Sequence, residues 1–311
     1  MVLHFQTRFI ESDEYKEFIM RKPVTISFAA RKGGVGKSFL AANTAAFLIC
    51  DGYRVLCVGI DQQDDLADRY LIDTEYDPHN HNSLADVLAG KCTPREAIYQ
   101  TYPFPAYHWR RTKFRTVVRD KIKDKTVHMD IMPAGNAIVD VTARSPEQPD
   151  DGYDYDLITE KLEPVFDDYD FIIFDCPPSD YDGSILAYAA SDYIITPYHG
   201  IDSSNSVDMM VETLRILAAP KANGAKQYKP EYYLVMNMHN PRATYDAQGE
   251  LFVREDFGDH VFKQTIRKSQ AAENAKVEGT PLAFNRKADI SEDVYRFEQE
   301  LLDIVREGEY K

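Results

Sequence analysis

Six short apolar runs rich in β-branched residues punctuate the chain: Val24–Ala29, Arg54–Ile60, His128–Met132, Phe171–Phe174, Tyr193–Thr196 and Tyr232–Met236. Each is nearly continuous rather than alternating, and helix-length stretches separate them. Strands covered on both faces read this way. The pattern therefore predicts an α/β fold, a doubly wound and mostly parallel sheet with helices on both faces. Ser38–Asp51 is rich in Ala and Leu and stops before Gly52, as a helix closed by a glycine does. With its flanking runs it forms a strand–helix–strand unit of about forty residues, which is right-handed in a parallel sheet. Val207–Ala219 has apolar residues at helical spacing, and Ile290–Glu309 reads as a final helix with an acidic face. Asp140–Asp151 reads as a loop, since Pro146 and Pro149 exclude regular structure. Thr101–Val127 matches no strand–helix alternation. The expected organisation is an amino-terminal extension over 1–22 and one domain over 23–311, with an insertion at about 101–127.

Composition narrows the class. With 311 residues, 44% of them hydrophobic, the chain can bury a large core. No run approaches the ~18 apolar residues of a membrane-spanning helix. Glu11, Asp13, Glu14 and Glu17 interrupt the amino end, so it does not read as a secretory signal. Cys50, Cys57, Cys92 and Cys176 form no CxxC pair and no metal-ligand spacing, so a reduced, cytoplasmic chain is expected. The formal charge of −15 argues against indiscriminate nucleic-acid binding. Exposed charges are screened within about 8–10 Å, however, so a local basic surface remains open. Thr101–Val127 carries eight bases against Asp120 and Asp124, whereas acids crowd Glu147–Asp170.

Arg31–Ser38 reads RKGGVGKS, after an apolar run and before a helical one. The phosphate-loop pattern is G-x-x-x-x-G-K-[ST]. Gly36, Lys37 and Ser38 fit it, while Arg31 stands at its first glycine. Gly33 and Gly34 leave the backbone free to turn its amides inward. With Val35 and the start of the helix at Phe39, they form a positive cradle for phosphates. Lys37 is the expected β/γ-phosphate ligand and Ser38 the expected magnesium ligand. The plain alternative is a glycine turn before a surface helix.

KGGVGKS resembles the deviant Walker A motif of the ParA/MinD family of P-loop ATPases. The resemblance implies a dimer that sandwiches ATP, with Lys32 reaching the partner's nucleotide in trans. GIDQQDD is similar to the family's DxDPQ. Asp61 takes the place of the carboxylate that orients the attacking water, but Gly59 and Gln62 replace the first Asp and the Pro. FIIFDCPPS is similar to the family's Walker B segment. Its strand-end Asp175 would hold magnesium through water, in the crevice where parallel sheets bind ligands. Asn237 and Pro281, in Met236–Asn237 and EGTPL, resemble the segments that enclose adenine, although an asparagine closing a strand is also a common turn residue.

Within that family the likeness runs to ParA-type DNA partition ATPases, through NSLADVLAGKCTPREAI, MDIMPAG and TIRKSQAAENAKVEGTPL. It implies a slow ATPase, requiring ATP and Mg2+, that forms ATP-dependent homodimers and binds DNA nonspecifically. A ParB-like centromere-binding partner would stimulate it on the nucleoid. An extension of about 22 residues is too short for a helix-turn-helix domain. The alternative is a ParA-like ATPase that positions a protein assembly. Docking on a membrane in the MinD manner is not expected, because the carboxy-terminal segment is acidic. Nor is an iron–sulfur bridge, since Asp180–Gly183 lacks the required cysteine. Two basic sets are candidates for DNA contact. One is Lys263, Arg267 and Lys268, where Arg267 matches a family arginine. The other is Arg110, Arg111 and Arg115 among the aromatics of the insertion, a mixture that also suits a protein interface or a solvated hairpin packing its own aromatics.

Overall fold

The computed structural model describes residues 22–71, 74–114, 116–143, 153–178, 181–200, 204–219, 226–285 and 287–309. Most of the expected amino-terminal extension, together with Arg115 and Asp180, lies outside the described residues. The strands are β1 (Val24–Phe28), β2 (Val55–Gly59), β3 (Tyr99–Gln100), β4 (Phe104–Arg111), β5 (Val117–Val127), β6 (Asp130–Met132), β7 (Phe171–Asp175), β8 (Tyr193–Tyr198) and β9 (Glu231–Met236). The helices are α1 (Lys37–Cys50), α2 (Asp65–Tyr70), α3 (Leu84–Leu88), α4 (Ile138–Thr142), α5 (Leu157–Leu162), α6 (Asp182–Ala189), α7 (Ser204–Ala218), α8 (Thr244–Phe257), α9 (Gln270–Val277) and α10 (Asp289–Glu309).

Seven strands form one sheet in the order β3-β6-β2-β7-β1-β8-β9. All pairings are parallel except that of the short edge strand β3 with β6. The six strands expected from apolar runs are all present, and all carry parallel pairings. Their side chains divide between two cores. Ile26, Cys57 and Ile173 face α1 and α10, while Val58, Ile172 and Ile194 face the side of α3, α5, α6 and α7. Helices cover both faces, which is why the strands are apolar throughout.

α1 is buried on nearly every side, from Phe39 through Leu48. Such a helix must be enclosed by more than a sheet. α10 supplies one cover, laying Ile290, Val294, Phe297, Leu301 and Val305 inward. The insertion supplies the other. β4 and β5 form an antiparallel hairpin outside the main sheet, with a register shift between Pro105 and Tyr107. Its aromatics do not pack only among themselves. Trp109 is 1% exposed, its ring 5.0 Å edge-on to Phe47 of α1 and 6.0 Å from Tyr295 of α10. The Trp109 indole donates to Ala283 O at 3.2 Å, and Phe104 stacks on Phe284 at 4.7 Å. Burying one such ring contributes on the order of 2–3 kcal/mol.

The expected loop over Asp140–Asp151 needs one correction. Its first residues are helical in α4, where Ile138 and Thr142 are buried and the Thr142 hydroxyl bonds back to Ile138 O at 2.7 Å. Residues 144–152, Pro146 and Pro149 among them, lie outside the described residues.

Candidate nucleotide site

The site sits where three central strands end side by side. Asp175, the last residue of β7, pairs with Phe28 of β1 and with Gly59 of β2. The backbone continues the junction: Ile60 N–H donates to Asp175 O at 2.9 Å, and Cys176 N–H donates to Phe28 O at 3.1 Å. The glycine loop, Asp175 and Asp61 therefore share one carboxyl edge of the sheet, where parallel α/β sheets bind ligands.

Between β1 and α1 the chain turns through 29–36. Gly34 and Gly36 have φ of 75° and 93°, a left-handed backbone that side chains resist. At Gly36 there is a second reason for glycine. A Cβ there would overlap the Asn237 amide nitrogen. That carboxamide, 3% exposed at the end of β9, donates to Val35 O at 2.7 Å. Its own backbone N–H bonds Tyr198 O at 2.8 Å, and the His199 ring lies 3.2 Å from Asn237 O. Asn237, expected beside adenine, thus also ties the phosphate loop to the sheet.

The two loop lysines differ in placement. Lys37 is buried, and burial lowers its pKa, opposed by the charges of Asp175, Cys176, Asp61 and Asp65. Lys32 is half-buried beside the exposed Gly33 and Gly34. Asp175 is 1% exposed, and burial pushes it up to about 7, opposed by the Ser38 hydroxyl and the Lys37 ammonium. One of its carboxylate oxygens, Oδ1, has no hydrogen-bond partner. An orphaned buried carboxylate oxygen beside a hydroxyl is a donor set suited to a hard divalent cation such as Mg2+.

Asp61 lies in the turn after β2, where its Oδ1 accepts from Gln63 N at 3.0 Å. Two contacts hold that turn: Gln62 Nε2 donates to Asn136 O at 2.9 Å, and the Tyr181 hydroxyl bonds Ile60 O. Pro281 sits beside α1. Pro281 O caps the turn to Phe284 and Asn285, while Leu282 N–H donates to Asn43 Oδ1 at 2.7 Å. Asn43 in turn holds Phe39 O, so the 281 loop is fixed to the first turns of α1.

Sequence reasoning missed Asp64. It has a left-handed backbone (φ 51°), and burial raises its carboxyl to about 6, opposed by hydrogen bonds from the Ala134 and Gly135 amides. A Cβ at Gly59 would come within 2.9 Å of Asp64 Oδ1. The available signal was Gly59 itself, since a glycine in place of an expected carboxylate marks room that another group can take.

The basic candidates are unequal. Arg267 binds Asp293 through Nε at 2.6 Å and Nη2 at 2.9 Å, and reaches Asp289 at 3.1 Å. Lys263 and Lys268 are exposed near it. Arg110 pairs with Asp120 across the hairpin at 3.2 Å, while Arg111 is exposed. Among the described residues no helix is long and apolar enough to cross a membrane.

A family model described as an AAA domain matches residues 24–220. The sporulation initiation inhibitor protein Soj of Bacillus subtilis is 26% identical over 295 residues, covering 91% of this chain and 96% of Soj. The chromosome partitioning protein ParA of Caulobacter vibrioides is 22% identical over 92% of this chain and 96% of its own. The ATP complex of a variant of McdA from Cyanothece shares the fold, with a TM-score of 0.69 at 16% identity over 90% of this chain and 96% of that one. A left-handed glycine loop, its buried lysine and the strand-end aspartate beside it agree with these similarities: the chain belongs to the AAA-domain family of P-loop ATPases, in its ParA/MinD-type group.

Proposed function

We propose that this chain is a ParA-type partition ATPase that closes into an ATP-sandwich dimer, binds DNA nonspecifically in that state and releases it after hydrolysis. The observation that carries the reading is the unequal placement of the two loop lysines. Lys37 is buried beside the charge of Asp175, whereas Lys32 is half-buried next to the exposed Gly33 and Gly34, the part of the loop that a second protomer would meet. In this reading Lys37 binds the β- and γ-phosphates, and the amides of Gly33–Phe39 orient them. Ser38 and Asp175 hold Mg2+, Asp175 through water, and the cation supplies charge neutralisation on the phosphates. Asp61 orients the attacking water, and Lys32 neutralises charge on the partner's nucleotide. Asn237 and Pro281 border the base. Loss of the γ-phosphate removes the contacts that hold the dimer shut.

For DNA, the exposed Lys263 and Lys268 are the direct contacts, with Arg267 held between them and α10. A ParB-like protein on the cargo DNA is the stimulating partner, on the nucleoid in the cytoplasm. The experiment measures dimer mass and nonspecific DNA affinity with ATP, ADP and no nucleotide over a salt series. ATP-dependent dimers and DNA binding are expected. Lys32→Ala should keep ATP affinity and lose dimers, and Lys268→Ala should reduce the salt slope by about one. Normal ATP-dependent dimers in Lys32→Ala would rule out the trans lysine. Binding indifferent to nucleotide would refute the partition cycle. A protein-assembly cargo shares this cycle, and whether a centromere-binding protein or an assembly scaffold stimulates hydrolysis separates the two.

A further inference from the structure

The insertion hairpin leaves a cavity of about 650 Å³ between itself, the end of α1 and the last turns of α10. That volume falls within the roughly 300–1,000 Å³ of small-ligand pockets. α1 carries the phosphate loop at its other end. Its 14 residues span about 20 Å, so the cavity is separate from the P-loop site.

The polar floor is formed by Asp51, Gln299 and the Arg306 guanidinium, whose charge acts on Asp51 and Glu298. Gln299 Nε2 lies 2.7 Å from Asp51 Oδ2 and 2.9 Å from Glu298 Oε2, which uses both amide hydrogens. With its amide hydrogens so engaged, Gln299 has its carbonyl oxygen left to offer, and the floor combines the oxygens of Asp51 and Gln299 with the guanidinium of Arg306. Beneath them Glu298 is fully buried, and its Oε1 has no partner. Two carboxylates held together out of water are costly, and nothing in the sheet or in the nucleotide site requires them. Burial lifts Asp51 to about 7 and raises Glu298 well above the usual carboxylate range. The walls are aromatic, formed by Tyr53, Tyr107 and Trp109. The rim is basic: Arg111, Lys121 and Lys125 line it, while Arg110 is balanced by Asp120.

We propose that this cavity is a second nucleotide site, selective for a guanine nucleotide. The guanine edge offers N1–H and N2–H donors in a row, the complement of the acceptors on Asp51 and Gln299. Its flat ring suits the aromatic walls, and its phosphates suit the basic rim. Adenine lacks the adjacent N1–H and N2–H donors that the Asp51 and Gln299 oxygens would accept, and lacks the O6 acceptor that the Arg306 guanidinium would meet. A polyamine would satisfy the floor, but the rim bases would repel it.

Trp109 is the chain's one tryptophan and lies in the cavity wall, so its fluorescence reports on this site. The test titrates GDP, ADP and inorganic phosphate against the full chain carrying Lys37→Ala. With the P-loop disabled, the outcome is independent of the proposed ATP cycle. GDP should give a saturable change, ADP should bind at least about tenfold more weakly, and phosphate should give none. Asp51→Asn should remove the preference for GDP over ADP. Lys125→Glu, at the rim and away from the core, should weaken GDP severalfold with an unchanged melting temperature. No response to GDP, equal responses to GDP and ADP, a response to spermidine, or a response to oligo(dG) without one to GDP would each overturn the assignment.

Discussion

Asp175→Asn tests the electrostatics of the phosphate site most directly. Burial moves the Asp175 carboxyl from 3.8 to about 7. A shift of about three units corresponds to about 4 kcal/mol between its protonation states. The folded pKa is raised, so the favourable contribution is complete below about pH 4 and is lost as pH rises through about 7. Between pH 5 and 7 the nucleotide-free protein should therefore lose up to about 1.4 kcal/mol per pH unit at this group, and the asparagine variant should not. The Lys37 ammonium is already part of this balance, since its charge opposes the upward shift of Asp175. The stability of the variant relative to the parent should thus rise by about 2–3 kcal/mol between pH 5 and pH 8, with the variant the more stable at pH 8. Urea unfolding of both proteins from pH 5 to 8 measures this, and taking the difference cancels other groups such as Asp51 and Asp64. Magnesium-dependent ATP binding should be lost at the same time. A stability difference that does not change with pH, or a variant weaker than the parent at pH 8, would refute the reasoning.

Gly36→Ala places a Cβ at φ 93° against the Asn237 amide, so thermal melts should show a loss of about 2–4 kcal/mol and titration should show no ATP binding. Asn237→Ala leaves Val35 O without its donor; a loss of about 1–3 kcal/mol and a weaker ATP affinity are expected, readable by calorimetry. Trp109→Ala should lower stability by about 3–5 kcal/mol in urea unfolding, because the indole fills the contact among α1, α10 and the hairpin.

The architecture was legible because strands covered on both faces must be apolar throughout, and that signature is local. Val24–Phe28, Val55–Gly59 and Phe171–Asp175 lie within a residue or two of their apolar runs, and α1 begins at the lysine of the glycine motif. The chemical identity of the phosphate loop was equally local, since RKGGVGKS states which residues can cradle an anion. What the sequence left open depends on contacts between residues far apart in the chain. Asn237 reaches Val35 across 202 positions, and Trp109 reaches Ala283 across 174. No spacing rule encodes such pairs. Basic residues showed the same limit: composition counted Arg267 and Arg110 as available charges, and only the packing of α10 and the pairing of β4 with β5 brought Asp293 and Asp120 against them. The buried states of Asp64 and Glu298 are likewise tertiary facts. Side-chain type determines what a group can donate, accept or carry, whereas solvent exclusion and neighbouring charge, which exist only once the chain is folded, decide what it does.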